Sequence, residues 1–136
     1  MKTKVKLLIE FEGRLLVLKP LKKKKRTLIG GTVDFGESSI DAAIREAYEE
    51  AGIILYRDDL EIHYSCFGIC SGKIVLLHCY LIRDKFLIHK LNESHKFQAI
   101  EWVPIQKGLN KLKGVEKYAA NKLIKTYLRP QIQIVA

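Results

Sequence analysis

The stretch GGTVDFGESSIDAAIREAYEEAGI, Gly30–Ile53, decides how the chain is read. Ser38 or Ser39 can cap a helix running to about Ala51, and Gly52 stands where a helix stops. At about 100° per residue, Ile40, Ala43, Ile44, Ala47 and Ala51 share the side that must face a core. Glu46, Glu49 and Glu50 gather on the opposite side. Like charges at these spacings repel by roughly a few tenths of a kcal/mol per pair. Glu49 and Glu50 also sit in the last turn, where the helix dipole disfavours them. Arg45 is the helix's only cation, in a chain of formal net charge +9. A carboxylate face assembled against both penalties reads as a divalent-cation site, and a plain solvated acidic face is the alternative.

The loop ahead of the helix supports the first reading. Gly30, Gly31 and Gly36 permit close backbone approach, so peptide groups there can face a ligand. Glu37 stands just before the helix and can pair with Arg45, tying loop to helix.

Working outward, residues 4–11 and 14–19 read as a hairpin turning at Glu12-Gly13. Pro20 ends it, and the basic loop 21–26 leads into a short strand over 27–33. Strands follow over 61–70 and 73–83, joined by Ser71-Gly72, then a short strand at Phe86–His89 and another over 99–105 ending at Pro104. The spacing of Val115, Tyr118, Ala119, Leu123, Ile124 and Leu128 predicts an amphipathic helix with a lysine-rich outer face. The order β-β-β-α-β-β-β-α belongs to the α/β class: a mixed sheet with helices on its faces.

The chain reads as one domain spanning 1–136, long enough for a hydrophobic core. Glu10 and Glu12 interrupt the apolar run near the start, so no signal peptide is expected, and no stretch is apolar enough to span a membrane. Cys66, Cys70 and Cys79 are odd in number, and Cys66 and Cys70 share a strand face, which suits small core residues in a reducing compartment. The expected location is the cytoplasm. The excess of Lys and Arg implies an anionic partner: nucleotide, nucleic acid or anionic lipid.

The same stretch resembles the signature of the Nudix hydrolases, the MutT-like family: G-x5-E-x7-R-E-U-x-E-E-x-G-U, with U aliphatic. Gly31, Glu37, Arg45-Glu46, Ala47, Glu49-Glu50, Gly52 and Ile53 fill every fixed position. The resemblance implies a Nudix-type α/β/α sandwich around a central mixed β-sheet. It implies hydrolysis of a nucleoside diphosphate linked to another moiety, most simply a nucleoside triphosphate or a nucleotide sugar. Glu46, Glu49 and Glu50 would hold Mg²⁺ or Mn²⁺, with the Gly31 carbonyl as a further ligand. One glutamate of the set, Glu49 in this reading, would act as base or orient the attacking water, and Arg45 would position the carboxylates and pair with Glu37. A further acid often comes from a late loop; Glu93 is the candidate and Glu101 the runner-up. Family members often form homodimers.

Several relatives' features are absent. Where many carry W-x-x-P-G-G, this chain reads R-T-L-I-G-G, so base stacking by that tryptophan is unavailable. Phe67-Gly68 stands where ADP-ribose hydrolases place a proline and some dinucleoside polyphosphate hydrolases a tyrosine. Lys25 and Arg26, at the end of the basic run, and Gly30 are candidate substrate contacts; the alternative for the run is a mobile solvated loop. Phe35, Tyr64, Phe67 and Trp102 are read as core residues rather than base-stacking ones. Two other functions compete: the same chemistry on an RNA 5′ end, and a nucleotide- or RNA-binding module that kept the fold without turnover.

Overall fold

A computed structural model describes residues 1–128; the last eight residues of the expected domain, 129–136, lie outside the described residues. Strand β1 (Lys2–Phe11) alternates strictly. Val5, Leu7 and Ile9 go to one face, while Lys4, Lys6 and Leu8 go to the other. It turns at Glu12-Gly13 into β2 (Arg14–Pro20), in which Leu15 to Leu18 are all buried, the pattern of a strand covered on both faces. β3 (Ile29–Thr32), α1 (Ser39–Ala51) and a 3-10 turn (Arg57–Leu60) follow. Then come the hairpin β4 (Ile62–Cys70) and β5 (Lys73–Ile82), β6 (Phe97–Pro104), α2 (Ile105–Lys111) and α3 (Gly114–Tyr127).

The strand order is β4-β5-β1-β2-β6, with β3 also on β1. β1 runs parallel to β5 from Lys2↔Val75 to Ile9↔Ile82, and the other pairings are antiparallel, so the sheet is mixed. α1 packs on one face through Ala42, Ala43, Ala47 and Ala51, small residues that let the helix lie close to the strands. α2 and α3 pack on the other through Leu109, Ala119, Ala120, Leu123 and Ile124. The expected α/β/α sandwich is what forms.

Local departures have local causes. Phe86–His89 makes no strand. Its neighbours' amides are bonded instead to the end of α1, Lys90 N–H to the Ala51 carbonyl and Asn92 N–H to the Glu50 carbonyl. The unforeseen helix α2 starts directly after Pro104, and its Gly108, a poor helix former, sits buried against Val103 and Leu15. Two expected core aromatics are not core: Phe35 is fully exposed in the turn between β3 and α1, and Phe67 is 67% exposed because no helix covers that face of the edge strand β4. Tyr64 and Trp102 are half-buried. Among the thiols only Cys79 is fully buried; Cys66 and Cys70 are partly so. No described helix is long and apolar enough to cross a membrane.

Candidate active site

The site begins with the helix cap. The Ser38 hydroxyl accepts the Asp41 N–H at 3.1 Å and fixes where α1 starts. Two turns on, Arg45 forks onto Glu37: Nε donates to Oε2 at 2.8 Å and Nη2 to Oε1 at 2.9 Å. Nη2 also donates to the Thr32 carbonyl at 3.1 Å, while Nη1 reaches Glu46 at 3.0 Å and Glu49 at 3.2 Å. One guanidinium thus ties the glycine loop, the strand before it and two helix carboxylates together. The Arg45 bond, helped by the Asp34 N–H, holds the Glu37 carboxyl down to about 2.

Glu50 does not point outward as a simple helical wheel suggests. It is 5% exposed, and its Oε1 accepts the Gly30 N–H at 2.7 Å. Burial pushes its carboxyl up to about 7 against the pull of that amide and of Lys6, with Glu46 and Glu93 adding to the rise. Glu46 is also raised, by burial first, with Arg45 opposing. Both loop positions leave little room for a side chain, for different reasons. A side chain at Gly30, whose φ is +153°, would collide with the Val5 carbonyl. At Gly31 a Cβ would stand 2.5 Å from Glu46 Oε1. Glu49, half-exposed, forms the rim.

The loop from Lys90 to Lys96 completes the cluster. Asn92 accounts for two carbonyls at the end of α1, its side-chain amide donating to Tyr48 and its N–H to Glu50. That anchoring brings Glu93 within electrostatic reach of both Glu46 and Glu50. Glu101 is elsewhere, accepting Arg26 Nε at 2.6 Å. The structure therefore joins Glu37, Arg45, Glu46, Glu49, Glu50, Gly30, Gly31 and Glu93. Gly30 has its amide engaged by Glu50 rather than offered to a ligand. Lys25 and Arg26 line a different cavity, described below.

Sequence reasoning missed Lys6 and Glu116. Lys6 Nζ donates to Thr27 Oγ1 at 3.0 Å and to the Leu28 carbonyl at 3.1 Å, and lies 3.8 Å from Glu116. Glu116 accepts from the Thr27 hydroxyl at 2.9 Å and from the Leu28 N–H. Together they brace the strand that carries the glycine loop. The alternation of β1 placed Lys4 and Lys6 on one face; nothing local said that this face is partly enclosed.

Among the described residues no three carboxylate, imidazole or thiol groups converge as a finished metal cage. The donor set nevertheless fits an oxygen-seeking divalent cation. Glu50 is a buried carboxylate with a single amide donor and no lysine or arginine partner among the described residues. Glu46 is desolvated beside it, and burying such charge is costly until a cation compensates.

The model of the NUDIX domain matches residues 5–123. Among solved structures, the chain is similar to the E. coli ORF135 protein, with 23% identity over 95% of this chain and 92% of that one at a TM-score of 0.75. It is also similar to a C. elegans Ap4A hydrolase in a binary complex, with 23% identity over 96% and 99% at 0.73. A bifunctional NMN adenylyltransferase/ADP ribose pyrophosphatase from Francisella tularensis, complexed with AMP and a Mn ion, aligns at 16% identity over 92% of this chain and 41% of that one, at 0.72. At such identities the likeness shows the fold and not the substrate. No curated protein sequence matches. With the family model spanning most of the chain, and the signature carboxylates set on α1 and, in Glu37, on the loop just before it, the protein belongs to the MutT-like Nudix hydrolases, a family of phosphoanhydride hydrolases that generally depend on divalent metals.

Proposed function

We propose that the chain hydrolyses a nucleoside diphosphate linked to another moiety, with nucleoside triphosphates and nucleotide sugars as the substrate class and Mg²⁺ or Mn²⁺ as cofactor. The observation that carries this is the buried Glu50 carboxylate, held by one backbone amide and flanked by Glu46 and Glu93. Glu46, Glu49 and Glu50, with the Gly31 carbonyl and Glu93, would hold the cation. When bound, it offsets the charge between carboxylates and diphosphate and stabilises charge developing on the phosphoryl oxygens.

The protein's own groups do the rest. Arg45 positions Glu46 and Glu49 and, through Glu37, keeps the glycine loop against α1. Water adds its oxygen to one phosphorus, the P–O bond of the bridge breaks, and the other phosphate leaves with the bridging oxygen. The proton released by water passes to Glu49, whose half-exposed carboxylate then returns it to solvent. Lys25 and Arg26 would contact the anionic substrate from the neighbouring cavity. Free thiols at Cys66, Cys70 and Cys79 suit the reducing cytoplasm as location.

The test is phosphate and pyrophosphate release over nucleoside triphosphates, nucleotide sugars, dinucleoside polyphosphates and 5′-triphosphate RNA, with Mg²⁺, Mn²⁺ or a chelator. Turnover of a free nucleotide that needs the metal supports the reading. Turnover of RNA alone, or of no member, rejects it.

A further inference from the structure

Beside the carboxylate cluster lies a second feature of the molecule, a cavity of about 810 Å³, within the size range of small-molecule sites. Its floor is apolar, with Val75, Leu77, Phe97 and Val115. Its walls and rim are basic, and eight Lys or Arg residues line it against one carboxylate, Glu116. Three of those cations are engaged by acids: Lys6 by Glu116, Arg26 by Glu101 and Lys96 by Glu93. The other five, Lys4, Lys23, Lys24, Lys25 and Lys113, have no carboxylate partner among the described residues.

The two groups of cations differ in place. Lys6 and Lys96 are the link to the carboxylates, since Lys6 acts on Glu50 and Lys96 pairs with Glu93. Lys4 lies two residues before Lys6 on the same face of β1, roughly 7 Å further along the strand. Its ammonium contacts Cys70 Sγ at 3.4 Å, and no carboxylate pairs with it among the described residues. Lys113 stands at the start of α3, and the one carboxylate in that helix's first turn, Glu116, is already engaged by Lys6 and the Leu28 N–H. An apolar floor suits a base or sugar face. Five uncompensated ammonium groups around it do not suit a neutral one.

We propose that this cavity binds a second phosphate group of the substrate, a monoester carried on the moiety that enters the cavity, so that the natural substrate is anionic both at the scissile anhydride and beyond it. This rests on the reading of the carboxylate cluster as a nucleotide-hydrolysing site. It narrows that reading to nucleotides bearing an extra phosphate, such as one on a ribose 2′ or 3′ oxygen. At pH 7.5 such a group is mostly a dianion and complements several lysines at once.

The experiment is calorimetric binding without metal, which needs no turnover and stays readable whether or not hydrolysis is found. The ligands are AMP, adenosine 2′,5′-bisphosphate and adenosine 3′,5′-bisphosphate, and the two bisphosphates separate the ribose positions. At about 0.1 M salt, where exposed charges are screened beyond roughly 10 Å, at least one bisphosphate is expected to bind tenfold or more tighter than AMP. Lys4→Gln/Lys113→Gln should reduce that preference to twofold or less. Lys23→Gln/Lys24→Gln, on the exposed loop, should reduce it partially and guards against a folding defect in the first pair. Equal affinities in the wild-type protein, or a preference that survives both double variants, overturns the proposal. A 5′-phosphorylated RNA decamer binding far tighter than either bisphosphate, with a steeper salt dependence, overturns it in favour of RNA.

Discussion

Gly30 donates its backbone N–H to Glu50 Oε1 at 2.7 Å, so the glycine loop and the most deeply buried carboxylate of α1 are one unit. The same loop is held from the other side by Arg45 on Glu37 and on the Thr32 carbonyl. Loop and helix therefore move together, and changes to either should register at the other.

Gly31→Ala tests how closely they fit. The added Cβ would meet the Glu46 carboxylate at 2.5 Å, and Glu46 must swing away from Arg45. Metal-dependent turnover should fall at least tenfold, about 1.4 kcal/mol of barrier. Thermal stability should change less than activity does. Steady-state kinetics beside a melting curve checks both.

Arg45→Lys keeps the charge and loses the fork. A lysine cannot serve Glu37, Glu46, Glu49 and the Thr32 carbonyl at once. Stability should drop by about 1.5–3 kcal/mol, the scale for hydrogen bonds to charged groups, and kcat should fall with it. Urea unfolding with and without Mg²⁺ measures the first.

Glu50 also gives the metal-free protein a signature in pH. Its carboxyl is pushed up to about 7 in the folded protein, from 4.5. Between those values the folded protein keeps a proton that the unfolded chain has released, so this group's contribution to stability declines as pH rises from 4.5 to 7 and levels off above. The decline is at most about 3 kcal/mol. Glu37, held down to about 2, has the opposite sign and a different window, with stability lost as pH falls from 4.5 towards 2. His63 and His78, both lowered by burial, oppose Glu50 below pH 6.5. The difference between wild type and Glu50→Gln in chelator, followed by urea unfolding from pH 4.5 to 7.5, isolates the Glu50 slope.

Gly68→Ala examines the contact between β4 and α3. A Cβ there would run into the Val115 side chain, which packs α3 onto β4. Overpacking should cost about 1–3 kcal/mol. Adding Val115→Ala should recover most of the loss, and the four unfolding midpoints form the double-mutant cycle.

Much of this was legible in the sequence because it is periodic or local. The alternation of β1, the glycine-bearing turns and the spacing of Glu37, Arg45, Glu46, Glu49 and Glu50 are short-range patterns, and the folded chain follows them. What stayed hidden depends on contacts between distant segments. The burial of Glu50 follows from β3 lying over the last turn of α1, which no helical wheel contains. The Phe86–His89 segment has strand-like residues, yet its neighbours bond to helix carbonyls. Phe67 reads as core, but lies where the sheet outruns its covering helix. The inward Lys6 looked like any solvated lysine, and its partner Glu116 is 110 residues away.

The central claim is that the buried Glu50 carboxylate is needed for metal-dependent hydrolysis of a phosphoanhydride. Glu50→Gln keeps an oxygen that can accept the Gly30 N–H and removes only the charge. The measurement is Mg²⁺-dependent turnover of the best free nucleotide substrate by wild type and by this variant. A loss of at least roughly a hundredfold, about 2.7 kcal/mol of barrier, with the fold intact by circular dichroism, is the predicted result. Turnover that is indifferent to the substitution, or that proceeds undiminished in chelator, would contradict the account.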